Sequence, residues 1–322
     1  MRILVTGGAG YIGSTVVPRL LSRGHAVRVL DLLCHGGESL LPVWSHPAFE
    51  LRRGDVRDPE TVEAAVAGMD AVVHLAAIVG DPACARDPDV ARSTNLDASL
   101  DLLRAARKAG VARFIFASTC SNYGRMSDPE LLVDEESDLR PISLYAETKV
   151  AVEQELLAAA ADNGLCATPL RLATVFGVSP RMRFDLTVNE FAMELAMQHR
   201  LVVFGERFWR PYVHVRDVAR AIETVLEAPR DRVAGRVFNV GATEENYRKQ
   251  EIVDLVRTEI PDADVEYVHR DEDPRDYRVS FTRINRELGF FPSRSVADGI
   301  HEVVQLVRTG VLEDIASPRY RN

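Results

Sequence analysis

The chain has 322 residues, enough for one large α/β domain or two domains sharing a cleft. Hydrophobic residues make up 46% and charged ones 27%, the balance of a soluble globular protein. The net charge is −9 with no block of lysine or arginine, which argues against a nucleic-acid partner held by phosphate neutralisation.

Short apolar runs and helical stretches alternate through the first half. Strands are expected at 2–6, 26–31, 71–75, 114–118 and 168–172, with a further one ahead of "GDVRD" (54–58). Helices are expected near 13–22, 59–67, 94–109 and 143–161, several ending at a glycine (Gly24, Gly68, Gly110, Gly164). This alternation predicts an α/β protein with a doubly wound parallel sheet, helices on both faces. After about residue 174 the rhythm breaks, and "VFGVSPRMRFDLTVNEF" reads as irregular. "GRVFNVG" (235–241) reads as one more buried strand. A helix near 249–259, a strand near 265–269 and a helix near 297–309 follow. The expected division is a cofactor domain over 1–174, rejoined by a segment at about 211–241. A smaller C-terminal substrate lobe would come from 175–210 and 242–322.

No apolar run approaches the roughly 18 residues of a membrane span. "MRILVTGG" already begins a strand at residue 2, so no signal peptide is expected ahead of the fold. The four cysteines lack CxxC spacing, which argues against a zinc site or a disulfide framework. Together these predict a cytoplasmic protein without a metal.

"VTGGAGYIG" (5–13) links the first strand to the first helix, with Gly7, Gly10 and Gly13 in G-x-x-G-x-x-G spacing. Such glycines let backbone approach a pyrophosphate, and the helix N-terminus supplies N–H donors and partial positive charge. Asp31 ends the second strand, where an acid accepts hydrogen bonds from an adenosine ribose and repels a 2′-phosphate. No Arg or Lys follows it closely, which favours NAD over NADP. Asp55 and Val56 follow the third strand and could meet the adenine.

Tyr145 and Lys149 form the sole Y-x-x-x-K of the chain, one helical turn apart on one face. A neighbouring ammonium and a positive nicotinamide would favour the tyrosine's phenolate. The pair could then move a proton to or from an alcohol while the nicotinamide moves a hydride. "FASTCSNYG" (116–124) puts a row of small polar side chains at a strand end some 26 residues earlier.

"TGGAGYIG", Asp31, "HLAA" (74–77), Asn95, "STCSNYG" and "YAETK" together resemble the extended short-chain dehydrogenase/reductase family. The nearest relatives by this resemblance are its NAD-dependent sugar-nucleotide epimerases and dehydratases. "DLLCHGGESLLPV" is similar to the adenosine-side segment of UDP-galactose 4-epimerases. The resemblance implies a Rossmann-like fold and a nucleotide-diphosphate sugar substrate. It implies catalysis by Tyr145, Lys149 and Thr119, with Asn95 supporting the lysine through a water. It extends the cofactor set to Tyr11, Ile12, Leu75, Ala76, Ala77, Asn95 and Ser118, with Tyr145 and Lys149. It gives Arg210 and Arg275 to the substrate pyrophosphate, and Asp81, Thr174, Arg183 and Asn189 to the substrate side. It also implies a homodimer paired through helices 94–109 and 143–161.

Two positions depart from the epimerase pattern. Thr174 stands where many relatives have Asn, and Val79 where UDP-galactose epimerases tend to have Lys. Relatives that eliminate water commonly carry an Asp-Glu pair, or a Glu, directly after the catalytic Thr. Here those positions are Cys120 and Ser121. Alternation along extended chain turns Cys120 away from the substrate. The expected reaction is therefore epimerisation at C4 through a transient 4-keto sugar. The alternatives are a dehydrogenase or 4-ketoreductase, a UDP-uronate decarboxylase, a 4,6-dehydratase and a non-catalytic NAD-binding regulator.

Overall fold

The computed structural model describes residues 1–126, 128, 131–161, 164–269 and 276–322. Its centre is a seven-stranded parallel sheet. Across the sheet the strands run Phe238–Val240, Cys166–Leu172, Arg113–Thr119, Ala71–His74, Arg2–Thr6, Ala26–Asp31 and Phe49–Arg53. Val5 lies in register with Val29 on one side and Val73 on the other. Such β-branched runs suit strands covered on both faces. The sheet grows in opposite directions from Arg2–Thr6, toward Ala26–Asp31 on one side and Ala71–His74 on the other, which opens a crevice at the carboxyl ends of the strands. Gly24, Gly68 and Gly110 take positive φ directly after helices, as their spacing predicts.

The expected helix at 94–109 begins differently. Ser93–Asp97 forms a π-turn, and the α-helix runs over Ala98–Lys108. Side chains explain the wider turn: Ser99 Oγ donates to Asn95 O at 2.7 Å and meets His74 Nε2 at 2.9 Å. The segment expected to be irregular also contains the start of a helix, Thr187–Gln198.

A second core gathers Phe184, Val188, Phe191, Tyr212, Ile252, Ile300 and Val303. It packs helices Thr187–Gln198, Lys249–Glu259 and Val296–Thr309 together. A three-stranded sheet borders it, with Trp209–His214 between Asn246–Arg248 and Thr174–Phe176. The chain then returns through helix Val215–Glu227 to strand Phe238–Val240, which pairs with Cys166–Leu172 at the edge of the main sheet. Among the described residues no helix is long and apolar enough to cross a membrane.

Candidate active site

A cavity of about 550 Å³ opens at the carboxyl ends of the central strands. One end is built by the glycine turn. Gly7 has φ +73°, and a Cβ there would sit 2.8 Å from Ala76 N. A Cβ on Gly13 would sit 2.2 Å from Gly7 O, so only glycine fits. The helix Gly13–Ser22 starts without a side-chain cap, and Ser14 N and Thr15 N donate back to Gly10 O and Ile12 O within the turn. A diphosphate fits this turn. Gly10, Ile12, Leu75, Ala76 and Ala77 line the same wall.

Asp31 stands at this end with both carboxylate oxygens engaged. Ala9 N donates to Oδ2 at 2.9 Å and Leu33 N to Oδ1 at 2.8 Å. Burial raises its pKa, against the pull of those two bonds. Asp31 thus braces the glycine turn as well as facing the cavity. Asp55 and Val56 also line the cavity, but Asp55 is paired with Arg57 at 2.6 Å. Tyr11 lines it at the glycine turn, while its hydroxyl points elsewhere and donates to Gly177 O at 2.6 Å.

The other end holds Tyr145 and Lys149, on helix Leu144–Ala161, beside Thr119. Lys149 is buried, and its Nζ donates to Ala117 O at 2.8 Å. The same Nζ lies 4.6 Å from the Phe116 ring centroid and 5.8 Å from that of Tyr145. Burial lowers the Lys149 pKa to about 8. Burial also raises the Tyr145 phenol. The expected phenolate is therefore not a property of the polypeptide by itself: burial opposes it, and one of the three N–H donors of Lys149 is spent on a carbonyl.

The residues of "FASTCSNYG" divide between two sides. Thr119 Oγ1 accepts from Ser121 N at 3.1 Å and holds the strand end as a cap. Ser121 lines the cavity, its Oγ 3.4 Å from the Tyr277 hydroxyl. Cys120 is buried, does not line the cavity, and its Sγ approaches Arg171 O at 3.3 Å. Ser118 also lines the cavity, yet its hydroxyl donates to Glu153, a residue of the Tyr145 helix. Asn122 Nδ2 donates to the same Glu153 oxygen at 2.9 Å, and Arg171 grips that carboxylate from Nε and Nη2.

Other expected residues are placed less simply. Asp81 and Thr174 line the cavity, as does Arg183, which is paired with Asp185 at 2.7 Å. Asn95 does not line it: its amide clasps the backbone of Ile78, accepting from N and donating to O, both at 2.8 Å. Its visible task is to hold the loop after His74. Asn189 is fully buried, does not line the cavity, and is bonded to Gly177 N, Arg183 O and the Tyr11 hydroxyl. The substrate role expected of it is thus corrected to a structural one, because a neutral amide satisfies the buried backbone turn there. Arg210 is buried, outside the cavity lining, with Nη1 on Trp209 O at 2.7 Å and its guanidinium 5.6 Å from the Tyr277 ring centroid. Arg275 lies outside the described residues. Sequence reasoning missed Tyr277 and His35, which both line the cavity, as does Ser121 of the polar strand end. Nothing in the local spacing of Tyr277 and His35 singled them out.

A doubly wound sheet, a glycine turn at its switch point and a Tyr–Lys pair across the cavity define a nicotinamide-dinucleotide enzyme. The chain belongs to the NAD dependent epimerase/dehydratase family, whose pattern matches residues 3–241, and NAD is its cofactor. It is 37% identical over 316 residues to a dTDP-glucose 4,6-dehydratase of Streptomyces griseus, covering 94% of this chain and 93% of that one. It is 30% identical over 313 residues to a UDP-glucose 4-epimerase of Corynebacterium glutamicum, covering 92% of each. The crystal structure of Thermus thermophilus UDP-glucose 4-epimerase in complex with NAD superposes with a TM-score of 0.84 at 31% identity, covering 97% of this chain and 100% of that chain.

Proposed function

We propose that the chain is an NAD-dependent 4-epimerase of a nucleotide-diphosphate sugar. One observation carries the choice among the family's reactions. The strand end beside Tyr145 presents Thr119 and Ser121 to the cavity, and Cys120 is turned into the protein. Water elimination across C5–C6 needs an acid for the leaving hydroxyl and a base for the C5 proton. No carboxylate follows Thr119, and Ser121 is a poor base without a partner.

In the proposed reaction Tyr145 takes the proton of the C4 hydroxyl, and Thr119 holds the reacting oxygen. The positive charge of Lys149 favours the phenolate once substrate and cofactor fill the cavity. NAD, held by the glycine turn and Asp31, would supply a reversible hydride acceptor beside the C4 carbon. Between oxidation and reduction the 4-keto sugar turns over on its diphosphate tether, so that reduction occurs on the opposite face. Tyr145 then gives the proton back, and no net oxidation results. Asp81, Thr174 and Arg183 are proposed to contact the sugar end and Arg275 the diphosphate, with Arg210 behind Tyr277 rather than in the lining.

The identity to a dehydratase keeps a second reading in view, with Asp81 as the carboxylate that would have to serve the elimination. Incubation of the purified enzyme with UDP-, dTDP-, GDP-, CDP- and ADP-sugars decides between them. Epimerisation predicts a product of unchanged mass inverted at C4, with no net change in nicotinamide absorbance. Loss of one water overturns the proposal for a dehydratase, carbon dioxide release for a decarboxylase, and stoichiometric NADH for a dehydrogenase. No turnover of any of these sugars also overturns it.

A homodimer paired through helices Ala98–Lys108 and Leu144–Ala161 belongs to the same proposal. Leu100, Val150 and Leu157 on those helices remain partly exposed in one copy. Light scattering on the purified protein tests it. The four cysteines are all free thiols, which supports the cytoplasm as the proposed location.

A further inference from the structure

Among the described residues, four cationic side chains line the cavity: Arg57, Lys149, Arg181 and Arg183. Two of them are paired with a carboxylate, and Lys149 stands at the tyrosine end of the cavity. Arg57 is paired with Asp55, Arg183 with Asp185, and Lys149 donates to Ala117 O. Arg181 differs. It is 7% exposed, forms no ion pair among the described residues, and its buried Nε has no hydrogen-bond partner. Only Nη2 is engaged, on Arg321 O at 3.0 Å. A buried cation left this way costs free energy unless an anion joins it.

The position of Arg181 indicates which anion. Its backbone N–H donates to Ser14 Oγ, in the first turn of the helix that follows the glycine turn. Ser179, two residues earlier, meets Ser14 Oγ at 2.9 Å and donates to Tyr11 O at 2.6 Å. Tyr11 in turn reaches Gly177 O, and Asn189 closes the group on the Tyr11 hydroxyl. The 177–189 segment is thereby fastened to the glycine turn by buried polar bonds. On its other side Arg181 acts electrostatically on Cys34 and His35, which follow Asp31. Arg183 lies close by and acts on the same His35 and on Arg181 itself, so the backbone bond to Ser14 is what ties Arg181 to the glycine turn. Arg181 therefore faces the glycine-turn end of the cavity. The turn offers a diphosphate only neutral N–H donors, and Val79 brings no charge to the lining.

We propose that Arg181 is a cofactor-binding residue, whose guanidinium neutralises the NAD diphosphate from the side opposite the glycine turn. Cofactor is then held between two segments far apart in sequence but bonded to each other. This retention holds whether the sugar chemistry is epimerisation or dehydration.

The test titrates nucleotide-stripped protein by calorimetry with NAD, NADP and UDP. The proteins are wild type, Arg181→Met and Arg181→Lys. Charge-assisted hydrogen bonds predict that Arg181→Met binds both NAD and NADP about 10- to 100-fold more weakly, with UDP unchanged. Arg181→Lys keeps the charge without the planar fork and falls between the two. Unchanged NAD affinity in both variants overturns the proposal. A loss confined to UDP assigns Arg181 to the substrate diphosphate, and one confined to NADP assigns it to a 2′-phosphate; either overturns it too. Should Arg181→Met fail to fold, the lysine variant decides: a loss of several-fold for NAD is expected, and wild-type affinity refutes the idea.

Discussion

Replacing Glu153 by Gln perturbs the site without touching the cavity. Glu153 is 1% exposed and Arg171 4% exposed, with Nη2 and Oε2 2.9 Å apart. The same carboxylate accepts from Arg171 Nε, Asn122 and Ser118. The amide cannot neutralise Arg171, and its NH₂ faces donors. Breaking a buried pair by removing one partner costs about 3–5 kcal/mol. At roughly 2.1 cal/mol/K per residue, unfolding 322 residues carries an entropy of about 0.7 kcal/mol/K. The melting temperature should therefore fall by about 4–7 °C, and the midpoint in urea should fall in step. Differential scanning calorimetry and urea titration of NAD-saturated protein measure this. A second consequence is local: Ser118 precedes Thr119, so kcat should drop while KM for the sugar stays nearly constant. A Glu153→Gln protein as stable as the parent would refute the claim that this ion pair fastens the strand end to the Tyr145 helix.

Tyr145→Phe should lower kcat by about 10²–10⁴-fold, with NAD affinity by calorimetry kept within a small factor; residual activity near wild type would refute the proton-transfer role. Lys149 gives a pH signature in cofactor-free protein. Its folded pKa of about 8 lies below the unfolded value, so the unfolded chain holds more protons between about 8 and 10.4. Stability from this group thus rises with pH across that window, and below it a constant penalty on the order of a few kcal/mol remains. Lys149→Met should accordingly be more stable than wild type near pH 7, and the gap should close toward pH 10; a pH-independent gap in melting temperature would contradict the burial argument. Gly13→Ala would push a Cβ onto Gly7 O and should cost about 1–3 kcal/mol together with NAD binding, read by melting and calorimetry.

The first half of the fold was legible because its signals are local. Strands Arg2–Thr6 and Ala26–Asp31 and helix Gly13–Ser22 fall where apolar runs and glycines predict them. The rest depends on tertiary context. Helix Val215–Glu227 carries a readable stripe of Val215, Val218, Ala219, Ile222 and Leu226, yet it follows a strand that begins at Trp209 and includes Pro211, which hides the rhythm. In the site, Gly7, Asp31, Tyr145, Lys149 and Thr119 were found because motif spacing names residue types, and all five line one cavity. Spacing does not say where a side chain points. Asn189 and Asn95 therefore looked like ligand contacts, although their amides are spent on backbone. Tyr277 meets Ser121 across 156 residues, a separation that no local pattern encodes.

The edge strand Phe238–Val240 has a consequence for synthesis. It pairs with Leu170–Leu172, and Gly235 N and Val233 O just before it bond to Ala167 and Thr168, closing the outer side of a strand whose seven residues are all buried. A ribosome that has delivered the first 175 residues has made the glycine turn, Thr119, Tyr145 and Lys149. The sheet that carries them still ends in an open apolar edge, a template for misassociation. That edge closes only after the second core's Phe184, Phe191 and Tyr212 have also emerged. The nascent chain therefore cannot finish its dinucleotide half first and add the other lobe at leisure; the two mature together or remain exposed to chaperones and proteases together.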